Sequence, residues 1–494
     1  MDGPAHLYNS NIIHNLIKGN PALHEFYTLN PLLVPNWISH FVLSVFRFVL
    51  PAWLAEKVLL ILYVSGMAFS FRYLIKELSP ANTYFSILVF PFIYSFLFHL
   101  GFYNFCISFS LFFVTIGYWL RIHSSERFRV YLPLFFFITL TYFSNVLTYV
   151  FLGITLGLYI IWLTWHKYRE NHDISGAVRT GGRKLLYLLL VSLPSLVLLV
   201  IFYTNVNFFP SNQNYSVKEL LKWIIDVRPL IVFNYSGEEI ITRQFFYALL
   251  ILLILGFIFK PDHGISDRKS FLWKADVMLI PLFISLLLLF IIPNGSGAGM
   301  MSDRFCLMNY VFLLIWTVSR AGSGIFSRYI IVIMMVLHFG LLLKHLNGTI
   351  RKLDDEAISI YQASYFIEEN SIVLPINLSD NWLHPHFSNY LGVEKPLIIL
   401  ENYEAGVGWF PVKWRSGSMP DVMLGNSRSL DGLSWAGNSN SGLKRQIQYI
   451  LLFGNKNKLN EPEWKELKKV LSSGFDLKYR SKDGKVLIYE RSLK

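Results

Sequence analysis

Charge is scarce in this sequence. Asp, Glu, Lys and Arg make up only 15% of its 494 residues, against 53% hydrophobic and 17% aromatic, where an ordinary soluble domain carries about 25% charged residues. With a mean hydropathy of +0.43, that scarcity excludes a purely soluble chain. Cysteine is nearly missing as well. Cys106 and Cys306 lie in or beside apolar runs, so neither a disulfide framework nor a cysteine zinc site can be built. The apolar runs themselves hold almost no charge. His99, Asp276 and His338 sit near run ends, with no arginine ladder or acidic relay, which speaks against a coupled transporter. No internal repeat or low-complexity tract stands out.

The net charge of +12 comes from 44 Lys+Arg and 32 Asp+Glu, and residues 347–494 hold 19 and 17 of these, so the excess lies in the apolar two thirds. A basic surface for nucleic acid would not be placed there, whereas cytoplasmic loops would. Apolar stretches near the roughly 17–25 residues that cross a bilayer fall at 55–75, 84–100, 103–121, 130–144, 146–165, 185–205, 243–260, 275–293, 304–320 and 328–346. The stretches 84–100 and 130–144 are short and are expected to be tilted or shielded by protein. With residues 1–54 outside, the inner loops 72–83, 121–129, 166–184, 260–274 and 318–328 collect the Lys and Arg. Residues 347–494 then lie outside the cytoplasm. The polar start MDGPAHLYNSNIIHN begins on that side with no apolar helix before it, so the expectation is a first span upstream of Met1, or else the reverse orientation.

Three segments follow: an outer loop, 1–54; a helical bundle, 55–346; and an outer tail, 347–494. The segment WISHFVLSVFRFVLPAW, with His40 and Arg47 interrupting its apolar face, fits a helix lying on the membrane surface at least as well as a span, and SVKELLKWIIDV is another amphipathic candidate. In the tail, strand-like runs at 372–376, 396–400, 449–454, 475–481 and 485–491 alternate with helical patterns at 354–369 and 462–472, the sign of a small α/β domain. Residues 401–442 read as long loops.

Polar groups gather on the expected outer face: Asp2, His6, Tyr8 and Asn9; Tyr103 and Asn104 in HLGFYNF; Asn145 in YFSNVLTY; Glu238 and Glu239; and Asp303 and Arg304 after NGSGAGMM. In the tail, Glu401, Tyr403 and Glu404 precede GWFPVKW with Trp409, a mixture suited to stacking and hydrogen-bonding a carbohydrate, or equally to a packed loop. Asp2 before Gly-Pro could cap a helix over 4–17. His6, one turn on, could orient a neighbouring base or help hold a metal, or could be structural. The planar fork of Arg304 suits a phosphate, and snorkelling or pairing with Asp303 is the alternative. Gly297 and Gly299 allow close backbone approach to a ligand or form a plain turn. Glu238 and Glu239 read as a solvated loop pair, and HxH at His384 and His386 lacks a matching ligand set.

Taken together, DGPAH in the first loop, the outer loop ending in LAEKVLL, GFYNF, the glycine-rich turn before DRF and the outer α/β tail resemble the type C membrane glycosyltransferases, in the bacterial branch of protein O-mannosyltransferases and aminoarabinose transferases. The resemblance covers most of the chain in layout, on short motifs. It implies a polytopic α-helical membrane protein with a small extracytoplasmic α/β domain, integral to a bacterial inner membrane. It would transfer a sugar from a polyprenyl phosphate to a lipid, glycan or protein acceptor. On this reading Asp2 is the base by family position, and DGPAH lacks the second acidic residue many members have beside it. Arg304, with Gly297 and Gly299, holds the donor phosphate. Tyr8, Tyr103, Asn104, Asn145, Glu401, Tyr403, Glu404 and Trp409 contact substrate. The resemblance leaves room for a divalent cation without specifying ligands. The rivals are a glycan-lipid polymerase or ligase, which would more typically place its largest loop between spans, and a lipid-linked sugar flippase, which should show buried charges or broken helices at mid-membrane.

Overall fold

The computed structural model describes residues 2–206, 213–258, 274–297, 299–322, 324–415 and 447–492. The expected inner loop 260–274 and most of the loop 401–442 fall outside these residues. The chain divides into two compact units: residues 1–60, 100–102 and 348–494 form one, and residues 61–99 and 103–347 form the other. Residues 1–54 and the tail, read separately from sequence, thus pack as one body.

The second unit is helical. Among the described residues, six helices are long and apolar enough to cross a membrane: Ala52–Leu78, Tyr103–Ile122, Val146–Asn171, Ile174–Asn205, Tyr235–Ile258 and Ile325–Phe366. The protein is an integral membrane protein. Between two of these helices runs Met301–Arg320, whose residues are buried on nearly every face, so it forms the centre of the bundle rather than a lipid-facing span. Asn309 on this helix donates to the Leu282 carbonyl at 3.0 Å. The expected span 84–100 is a broken one: a 3-10 turn over Pro80–Val89, then Phe90–Ile93 and Phe96–His99. Pro91 cannot donate to the helix ladder, and Tyr94 leaves helical geometry with ψ +44°.

The buried Asp276 of this unit is paired. Arg320 grips Asp276 with Nε at 2.9 Å from Oδ1 and Nη2 at 2.6 Å, and Trp316 Nε1 donates to the same oxygen at 3.0 Å. Ser216 and Glu219 form a reciprocal cap on the helix Val217–Ile225, as the SVKE start allows.

The first unit is mixed. Helices α1 (Gly3–Ile17), α2 (Pro21–Phe26) and α3 (Ile38–Phe46) precede a five-stranded sheet ordered β3-β2-β5-β7-β6. Its strands are β2 (Ile372–Leu378), β3 (Ile398–Ile399), β5 (Tyr449–Gly454), β6 (Phe475–Arg480) and β7 (Val486–Arg491). β3, β2 and β5 run parallel, and β7 and β6 close the edge antiparallel. The parallel strand β2 is almost continuously apolar, as a strand covered on both faces must be. A ribbon that sequence patterning did not show pairs β1 (Tyr27–Leu29) with β4 (Val412–Trp414), with Tyr27 against Trp414. It fixes the outer loop to the tail by backbone hydrogen bonds.

Candidate functional site

The polar side chains of α1 are nearly all buried, which is possible only because the tail supplies partners for them. Asn9 and Asn402 exchange amide hydrogen bonds of 3.0 and 2.9 Å. Asn402 in turn caps the short helix Tyr403–Val407 through the Ala405 amide. Asn11 donates to the Gly392 and Lys395 carbonyls, and Arg47 pairs with Glu394 at 2.7 Å.

The Asn9–Asn402 clasp brings His6, one turn earlier on α1, to Glu404, two residues past Asn402. His6 Nδ1 lies 2.5 Å from Glu404 Oε1, and His40 Nε2 on α3 lies 2.8 Å from Oε2. The two imidazoles meet edge to face at 4.7 Å between centroids, and Phe410 packs on both. All three polar side chains are at most 3% exposed. Burial works to raise the Glu404 carboxyl, but the adjacent His40 and His6 hold it down to about 2. Burial opposes the His6 imidazolium, yet the Glu404 carboxylate, by charge and hydrogen bond, carries its pKa above the ordinary 6.5. These three side chains are the group best placed in the first unit to hold a metal.

Asp2 stands at the head of α1. Its backbone amide donates to the Leu100 carbonyl at 2.7 Å and its carbonyl accepts from the His6 amide at 3.0 Å. It makes no side-chain cap hydrogen bond, so its carboxylate is not used up as the capping alternative would require. It is half-buried.

The other expected residues distribute as follows. Tyr8 is taken up by the core: its hydroxyl, at 0% exposure, donates to the Leu397 carbonyl at 2.7 Å and accepts from the Ile399 amide at 3.0 Å, leaving no surface for a substrate. Glu404 is committed to the histidines rather than to a sugar, because it is wholly buried. Glu401 is committed likewise, to His386 Nδ1 at 3.0 Å and to the Ser388 hydroxyl. Tyr403 stacks on His386 at 4.2 Å, and Trp409 is buried. His384 pairs separately with Glu356 at 2.8 Å, so the HxH residues serve two different carboxylates.

In the second unit, Asn145 caps Val146–Asn171 by accepting from the Leu147 and Thr148 amides. Asn104 is buried, and Tyr103 is half-buried at the start of its helix. Arg304 lies near the start of Met301–Arg320, its Nε donating to the Gly299 carbonyl at 3.2 Å and its guanidinium 5.0 Å over the Phe105 ring. Gly297 and Gly299 have φ of +58° and +75°, a conformation that favours glycine, so the turn requires them irrespective of a ligand. Asp303 turns to Arg228 at 3.1 Å instead of to Arg304. Glu238 is no solvated loop residue: it is buried, accepts from the Val232, Phe233 and Asn234 amides, and meets His345 at 3.1 Å.

Two residues escaped the sequence reading. His40 was seen only as an interruption of an apolar face, and that interruption was the signal, since a polar group on a buried face needs a partner. Arg228, stacked 3.8 Å over Phe96, gave no signal, since a lone arginine after SVKELLKWIIDV reads as a loop charge.

The fold defined here is a polytopic helical bundle with a small α/β domain. It is similar to a solved structure, the crystal structure of ArnT from Cupriavidus metallidurans bound to undecaprenyl phosphate, over 100% of this chain and 94% of that chain, with a TM-score of 0.51 and 11% identity. At that identity the likeness is one of fold alone. No family model and no curated protein matches the sequence.

Proposed function

We propose that this chain is a membrane glycosyltransferase that moves a sugar from a polyprenyl phosphate to a glycan, lipid or protein acceptor on the extracytoplasmic face of a bacterial inner membrane. The observation that carries the reading is the full-length likeness of fold to a protein solved with undecaprenyl phosphate. Two local features support it: an Asp2 carboxylate left unspent by capping at the head of a well-anchored helix, and a guanidinium held at a glycine turn.

In the reaction, Asp2 takes the proton from the acceptor hydroxyl or amine as its lone pair attacks the anomeric carbon. The bond from that carbon to the phosphate oxygen breaks, its electron pair leaves on the polyprenyl phosphate, and the configuration inverts. A positioned base is worth about 10²–10⁴-fold. Arg304 meets the charge growing on the leaving phosphate, where a preorganised donor is worth about 10²–10³-fold. Tyr103, half-buried at a helix start, is the remaining candidate for a sugar contact.

The test supplies radiolabelled polyprenyl-phosphate sugars to a full-length form and compares wild type with Asp2→Asn and Arg304→Ala. Each variant is expected to lose about 10²-fold or more. Full transfer by both folded variants would remove the assignment.

A further inference from the structure

His6, His40 and Glu404 carry a conclusion that the transferase reading does not need. One donor atom from each lies within 4.8 Å of the others. The far side of the His40 ring is already committed. His40 Nδ1 is 3.1 Å from the Asn36 carbonyl oxygen, which can only accept, so this nitrogen carries a proton. His6 donates to the Gly101 backbone carbonyl. A neutral imidazole has a single N–H, so a neutral His40 presents a bare Nε2 lone pair to Glu404 Oε2, 2.8 Å away.

The donor atoms converge: His6 Nδ1 lies 2.5 Å from Glu404 Oε1 and 3.3 Å from His40 Nε2, which lies 2.8 Å from Glu404 Oε2, in a site at most 3% exposed. A cation among the three would take a lone pair from each.

We propose that His6, His40 and Glu404 form a binding site for a divalent cation of the zinc class, with a fourth coordination position left to water. Two imidazoles and a carboxylate match the donor preference of zinc and its neighbours rather than that of magnesium. Tetrahedral bonds of about 2.0–2.1 Å give ligand-to-ligand edges of about 3.3 Å, and the His6–His40 nitrogen separation is 3.3 Å. Only the Glu404 oxygens need to withdraw, from 2.5 and 2.8 Å, by about 0.5 to 0.8 Å. The backbone carbonyls of Asn36 and Gly101 serve as the outer partners that fix the orientation of metal-bound imidazoles. The ion would tie α1, α3 and the helix Tyr403–Val407 together, one helical turn from Asp2.

The experiment uses the full chain in detergent without donor or acceptor, so its failure would leave the transferase reading standing. Wild type is stripped with EDTA, reloaded with Zn²⁺ or Co²⁺, desalted, and analysed for metal per chain, for melting temperature and, with zinc, by X-ray absorption. The expected result is a single ion per chain, a melting temperature raised by Zn²⁺ and lowered by EDTA, and two imidazole nitrogens in the zinc shell. His40→Ala and Glu404→Gln should lower affinity by about tenfold or more, while His386→Ala keeps it. Should the variants fail to fold, the wild-type absorption spectrum still decides, since a shell without imidazole overturns the site. Folded wild type that retains no metal and melts alike with zinc and EDTA would also overturn it, as would undiminished metal in His40→Ala and Glu404→Gln.

Discussion

Replacing Gly101 by alanine tests how the head of α1 is held. Gly101 has φ +88°, and a Cβ there would lie 2.2 Å from the Gly3 amide nitrogen and 3.0 Å from both the Asp2 carbonyl carbon and Gly3 Cα. Real Cβ contacts essentially never fall below 3.0 Å, so backbone must move by the difference between 3.0 and 2.2, that is 0.8 Å. The left-handed conformation costs a non-glycine residue about 1–2 kcal/mol, and overpacking adds about 1–3 kcal/mol. The expected destabilisation is therefore about 2–5 kcal/mol. The backbone pushed aside carries Asp2, whose amide is bonded to the Leu100 carbonyl at 2.7 Å, and a displacement near 1 Å at a reacting group can cost about 10²-fold in rate. Gly19→Ala is the control, since Gly19 has φ +80° with nothing within 4 Å of the added Cβ. It should cost about 1–2 kcal/mol and leave the rate unchanged. The assay is reversible denaturation in detergent together with sugar transfer. If Gly101→Ala proves no less stable than Gly19→Ala and transfers sugar at the wild-type rate, the steric argument and the placement of Asp2 both fail.

Removing one partner of the bidentate pair, by Asp276→Asn or Arg320→Ala, should cost about 3–5 kcal/mol, whereas replacing both with apolar residues of similar volume should cost far less; a double-mutant cycle on unfolding checks it. Glu401 gives a pH signature. Burial raises its carboxyl, but the hydrogen bond and charge of His386 and the hydrogen bond from Ser388 bring it below the ordinary 4.5. A depressed carboxyl contributes stability that is full above about pH 4.5 and is lost as pH falls through the folded-state value. Melting curves from pH 6 downward should therefore show a smaller acid loss for Glu401→Gln than for wild type, and equal slopes would reject the pairing.

Much of the helical architecture was legible in the sequence because bilayer spanning is a local property. A run of apolar residues reports its own environment wherever the rest of the chain lies, and each of the expected stretches meets helix in the described residues. The tail strands were legible for the same reason, since IVLPI and YILLFG are apolar runs bounded by turn residues. Met301–Arg320 shows the limit of this logic. Its Asp303, Arg304 and Asn309 are tolerated because the helix is surrounded by protein, and hydropathy cannot tell protein from lipid as a neighbour.

Composition and periodicity by themselves determined that the chain is membrane-bound, where its helices run and that its tail is α/β. They could not determine that Asn9 meets Asn402, that β1 pairs with β4, or that His6, His40 and Glu404 converge. Those contacts join residues hundreds of positions apart, and the energy of each depends on burial and on a partner's direction, quantities that exist only once the chain has closed on itself. Glu404 was open between a sugar contact and a packed loop, and the fold enclosed it between two imidazoles.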